Sequence, residues 1–129
     1  AKNMVSVDTN VLVSLIIGDD PHQVLEAEAF VKKGAWVPHL VLAETIWALG
    51  SVYEFSATEI IRALEMLLKH ESLSIEGRDT VTSALESLRS KPKLRFTDCL
   101  ILEIARKAGH LPLGTFDRGL AKLDGTVKL

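Results

Sequence analysis

The stretch Val5-Ser6-Val7-Asp8-Thr9-Asn10-Val11-Leu12-Val13, VSVDTNVLV, joins two apolar runs through three consecutive polar side chains. An apolar run of strand length that halts at an acid, then resumes as though a helix had begun, reads as strand, turn and helix start. With residues 4–7 as a central parallel strand, Asp8 leaves its carboxyl end. That edge is where sheets of this kind bind ligands.

Outward from this stretch the chain alternates short β-like runs with longer helical ones, without repeats, low-complexity tracts or a linker. This is the pattern of an α/β protein. Strands are expected at 4–7, 35–37, 73–75, 111–113 and 126–128, the proline of Leu111-Pro112-Leu113 weakening the fourth. Asp20-Pro21-His22-Gln23 supplies an N-cap, a proline at the first helical position and Gln at N3, opening a helix to about Lys33 before Gly34. Ser56-Ala57-Thr58-Glu59 is a capping box for a helix to about His70. Other helices are expected over 39–52, 79–90 and 97–108, with short ones after Asn10 and Asp117.

With 129 residues, 47% of them apolar, the chain is long enough for one domain with a sizeable core, and a single domain over 1–129 is expected. Ala1-Lys2-Asn3, ahead of Met4, read as a cloning remnant. The lone Cys99 makes no internal disulfide and no Cys/His cluster stands out, which points to a reducing cytosol. No apolar run approaches the roughly 18 to 20 residues of a membrane span, and Asp8 interrupts the only apolar N-terminal stretch, unlike a signal peptide.

Seventeen acids against fifteen Lys and Arg give a net charge of −2, so bulk electrostatics does not hold this chain to nucleic acid. Any such contact is local. The densest basic stretch is Lys91, Lys93 and Arg95 in SKPKLR, while Lys32-Lys33, Arg106-Lys107 and Arg118 with Lys122 sit apart. Taken alone, each group reads as solvated charge at a helix end.

Most acids have plain local roles: Asp20 caps, Glu59 closes a capping box, Asp124-Gly125 makes a turn, and Glu103 shares a helix face with Arg106 and Lys107. Four stand out. Asp8 follows a strand. Glu44 has Leu40, Val41 and Trp47 as helical neighbours, which sets a carboxylate in an apolar stripe and predicts a buried acid needing compensation. Asp98 opens TDCLILEIARKA with Ile101 and Leu102 one turn on, and Asp117 follows Gly114-Thr115-Phe116 at the start of another helix. Individually, Asp8 and Asp117 read as N-caps and Asp98 as an acid favouring the helix dipole.

Jointly, all four can converge at one sheet edge. Clustered carboxylates repel one another unless cations occupy them, and hard oxygen ligands without Cys or His suit Mg²⁺ or Mn²⁺. Such ions act on phosphate esters, polarising the phosphoryl group and lowering the pKa of bound water. Thr9, Asn10 and Thr115 are small polar groups able to orient a carboxylate or water, or simply to cap and turn the chain; Thr9 reads as a turn residue.

Asp8 in VDTNVLV, Glu44 in LVLAETIWAL, Asp98 in RFTDCLILEIARKAG and Asp117 in GTFDRGLAKL together resemble a PIN-domain ribonuclease of the VapC toxin type, over nearly the whole chain. The resemblance implies a three-layer α/β/α fold with a short, mostly parallel central sheet. It implies Asp8, Glu44, Asp98 and Asp117 as metal-binding acids for Mg²⁺ or Mn²⁺, supported by Asn10 and Thr115, with RNA as substrate. Lys91, Lys93, Arg95 and Arg118 would then guide the RNA backbone. It further implies a homodimer, and an antitoxin whose tail occludes the acidic site; with the lone cysteine, a cytoplasmic location is expected. The chain departs from the family at Cys99, where Ala is common, and at Pro112 inside a strand.

Two other classes compete: a silent module of the same fold that binds RNA or protein without cutting, and a phosphate-handling enzyme of the phosphatase or receiver type. The last is disfavoured, since Asn10 stands where the DxD phosphatase pattern has its second Asp. His22, His39, His70 and His110 share no metal-ligand spacing, and Cys99 reads as core. Trp36, Trp47 and Phe30 read as packing or dimer contacts, or as stacking surfaces if exposed, and Leu64, Leu67 and Leu68 as a buried helix face or an oligomer surface.

Overall fold

Two or three extended residues make a strand only when a neighbour satisfies their backbone groups. In the computed structural model, which describes residues 4–129, each strand has such a neighbour in a parallel partner. The element order is β1 (Val5–Ser6), α1 (Thr9–Ile17), α2 (Pro21–Val31), β2 (Ala35–Val37), α3 (His39–Ser51), α4 (Ala57–Lys69), β3 (Leu73–Ile75), α5 (Arg78–Ser90), α6 (Phe96–Ala108), β4 (Leu113–Thr115), a 3₁₀ turn at Leu120–Lys122 and β5 (Thr126–Lys128). The chain divides into two compact units, one ending at Arg78 and the other beginning at Asp79. The residues read as a cloning remnant lie outside the described residues.

The first unit is built on a parallel sheet of order β1-β2-β3, with two helices in each crossover. Such a sheet is expected to be covered, and its inward positions are apolar: Ala35, Val37, Leu73 and Ile75 are buried while Trp36 and Ser74 between them face out. Helix α1 packs on both α2 and α3. Its start accounts in part for the three polar side chains at 8–10: Asp8 is the N-cap, its Oδ1 accepting from the Val11 N–H at 3.2 Å. Thr9 and Asn10 are therefore the first two helical residues, and Thr9 is not a turn residue.

Local signals elsewhere hold. The Asp20 carboxylate accepts from the N–H groups of His22 and Gln23, and Ser56 and Glu59 bond reciprocally as a capping box. The Ser56 N–H donating to Glu59 holds that carboxyl below its usual value. Helix α4 buries Ile60, Ala63, Leu64 and Leu67 along one stripe, so this face belongs to the core and not to an oligomer surface. Helix α3 has only Pro38 at its N-cap, which offers no side-chain acceptor. Glu76, just after β3, reaches across instead and accepts from the His39 N–H at 2.7 Å.

The second unit pairs β4 with β5 in parallel and carries α6, which buries Phe96, Cys99, Leu100 and Leu102. The strand expected at 111–113 lies at 113–115. Pro112 follows a cis peptide bond and has no N–H to give a ladder, so pairing starts at Leu113, opposite Thr126, and ends at Thr115, opposite Lys128.

Candidate functional site

Asp8 and Glu44 belong to the first unit, Asp98 and Asp117 to the second. Asp8 stands between β1 and α1 as the cap of α1, and Glu44 lies on α3, the helix that packs against α1. Glu44 is exposed, which corrects the expectation of a buried acid. Helix α3 is apolar on every side, and the face turned inward is Leu42, Thr45, Ile46 and Leu49. The stripe around Glu44 faces water instead, with Leu40 70% and Trp47 61% exposed.

In the second unit Asp98 is half-buried in the first turn of α6, with Leu102 buried and Ile101 exposed one turn on. Asp117 is exposed and tightly placed. Its N–H donates to Thr115 Oγ1 at 3.0 Å, and its Oδ2 accepts from the Leu120 N–H at 2.6 Å. Gly119 packs closely beside it: a Cβ there would lie 3.3 Å from Asp117 Oδ2 and 3.2 Å from Leu94, so either side chain would have to give by a few tenths of an ångström. Thr115 thus acts as a turn residue that orients the Asp117 segment.

Asp8 and Asp117 both perform the local capping role, yet a carboxylate has two oxygens and a cap occupies one. Among the described residues, none of the four acids forms an ion pair with Lys, Arg or His. Several other acids are so paired: Glu26 with His22, Glu76 with His39, Glu28 with His70, Glu86 with Arg89 and Glu103 with Arg106. Also among the described residues, no group of three or more His, Cys, Asp or Glu is arranged to hold a metal ion. By donor chemistry the four acids fit a hard cation, being oxygen ligands that no protein cation neutralises.

Asn10 is exposed and lines an open groove of about 370 Å³ with Val11, Ser14, Gln23, Glu26, Ala27 and Phe30. Lys91 is half-buried, and Lys93, Arg95 and Arg118 are exposed. All four belong to the second unit, and none pairs with a carboxylate among the described residues. Three histidines are tied to nearby glutamates and His110 is exposed. One feature the sequence reading passed over is Phe116, between Thr115 and Asp117, which is 78% exposed.

The PIN domain family matches residues 5–126, a span that includes all four acids and crosses both units. The chain belongs to the PIN domain family. PIN domains are typically nucleases that use divalent metals, and this α/β chain with its short parallel sheet has the corresponding architecture. No curated protein and no solved structure matches the chain. Among the described residues, no helix of this PIN domain is long and apolar enough to cross a membrane.

Cys99, the residue after Asp98, is fully buried on α6. Burial, reinforced by the negative charges of Asp98 and Glu103, pushes its thiol from 9.0 up to about 11. A shift of that size leaves roughly a hundredfold less thiolate at pH 8. Ellman's reagent at pH 8 should therefore label native protein at least that much more slowly than denatured protein. The sign for stability follows: the unfolded thiol ionises first, so stability falls as pH rises from about 9 towards 11. Equal labelling of native and denatured protein would contradict the buried placement.

Proposed function

We propose that this PIN domain is a metal-dependent endoribonuclease, the toxin of a toxin–antitoxin pair of VapC type acting on structured RNA such as tRNA or rRNA in the cytoplasm. The observation that carries the reading is the set Asp8, Glu44, Asp98 and Asp117, four acids within the family-matched span that no protein cation neutralises among the described residues. In this reading the two units act as one domain over the matched span.

These four carboxylates would hold Mg²⁺ or Mn²⁺, which when bound would activate water and stabilise charge on the leaving oxygen. The chain's own part is placement. The bond from Leu120 N–H aims Asp117, and the cap bond to Val11 N–H fixes Asp8, each through one oxygen. Asn10 in the first turn of α1 and Thr115 at the end of β4 each lie two residues from one of these acids and support it. Lys91, Lys93, Arg95 and Arg118 hold the RNA backbone, a local basic set that offsets the net charge of −2. A homodimer accounts for the exposed Leu40 and Trp47 on α3, since such a face is normally covered. The antitoxin tail occludes the acids.

Purified protein incubated with structured RNAs should cleave them in Mg²⁺ or Mn²⁺ and stop when EDTA is added. A second reading, a silent module that binds RNA or protein without cutting, draws on the lack of a ready-made group of three metal ligands among the described residues. Metal binding by the inhibitor-free protein with no cleavage of any RNA would select that second reading.

A further inference from the structure

Phe116 is more exposed than any other large hydrophobic side chain among the described residues, and the residues on either side of it are hydrogen-bonded. Thr115 O accepts from the Leu129 N–H at 2.9 Å, Thr115 Oγ1 from the Asp117 N–H, and Asp117 Oδ2 from the Leu120 N–H. The buried Leu120 anchors the far side of the turn. A phenyl ring is thereby held out in water on a braced turn, one residue before a proposed metal-binding acid. Two residues after the ring, the exposed Arg118 guanidinium makes no ion pair or hydrogen bond among the described residues.

The geometry points to Phe116 as a stacking platform for an unpaired nucleobase of the RNA, with Arg118 on an adjoining phosphate; this deepens the nuclease reading and rests on it. A phenyl ring offers only a π-face and apolar edges, and stacking on it is open to every base. An apolar protein partner would have to bury the charges of Asp117 and Arg118 along with the ring, whereas interface cores are depleted of charge. RNA brings both counterparts, a base face and a phosphate. Duplex bases already have both faces covered, so the base that stacks here is unpaired. Phe116 is a positioning residue: it sets the strand in register beside Asp117.

The test is fluorescence anisotropy of a labelled unpaired RNA oligonucleotide, and of the same strand annealed to its complement, in EDTA so that nothing is cut. Wild type should prefer the unpaired strand. F116A and F116L should weaken binding to it by roughly 5- to 100-fold, from the usual cost of losing one base–aromatic stack, while F116Y binds as wild type does. Wild-type affinity in F116L would overturn stacking in favour of a generic apolar contact. Wild-type RNA affinity in F116A with a changed sedimentation coefficient would overturn it in favour of a ring covered by a second copy. If wild type cleaves RNA with metal and F116A keeps the same affinity and KM, only the stacking proposal falls. If wild type neither binds nor cleaves RNA, both readings fall together.

Discussion

Asp8→Asn should lower metal-dependent RNA cleavage by two orders of magnitude or more while leaving the unfolding temperature unchanged. The two roles of Asp8 separate in this substitution. Asn keeps an oxygen that accepts from the Val11 N–H, and Asn is as good an N-cap as Asp. What it removes is the charge, and with it the proposed ligand for a cation that would supply several kcal/mol to the transition state. A loss of about 3 kcal/mol already corresponds to more than a hundredfold in rate. Asp8→Ala should lose the same activity and in addition about 1 kcal/mol of stability, because the cap goes too. Cleavage assays paired with thermal melts of both variants read the difference. An Asn variant that cuts at the wild-type rate would reduce Asp8 to a helix cap. The same logic applies to Asp117→Asn, whose cap is the Leu120 N–H.

Leu67→Ala should be among the most damaging simple truncations on α4, with Leu64→Ala. Leu67 is fully buried, on the stripe it shares with Ile60, Ala63 and Leu64. Removing a buried leucine to Ala costs the transfer energy of the lost groups plus a cavity term, typically 2–5 kcal/mol, out of a total stability of about 5–15 kcal/mol. A loss of about 3 kcal/mol lowers the melting temperature by roughly 10 °C for a chain of this length. Met66, on the exposed side of the same helix, is the control: Met66→Ala should stay within about 0.5 kcal/mol. Calorimetry or thermal circular dichroism checks both. A Leu67→Ala variant with unchanged stability and an altered oligomeric state would mean that the leucine stripe is an interface after all.

Much of the scaffold was legible because short-range chemistry decides it. The Asp20-Pro21 start, the Ser56/Glu59 capping box, and the strands at 35–37 and 73–75 follow from residues within one turn or one pleat of each other. The candidate acids were legible too, through their motif flanks and through local roles that did not account for all of them.

Asp8 and Asp117 show where that legibility ends. Their capping bonds match the plain reading of each alone, and a second oxygen left over is a matter of three-dimensional surroundings. Fourth-strand placement needed a partner: three residues pair only where β5 presents matching groups, and Pro112 moved the start to Leu113. The Glu76 bond to the start of α3 spans 37 positions and leaves no local signal.

By itself, then, the sequence determined the α/β order of elements, their starts and stops, and which four acids merit attention, because caps, turns and alternation act over a few residues. Only the tertiary structure decided which way α3 faces. Its sequence has apolar residues all round and a single charge, so no periodicity selects a buried side. Packing chose Leu42, Ile46 and Leu49, and that choice set Glu44 and Trp47 in water.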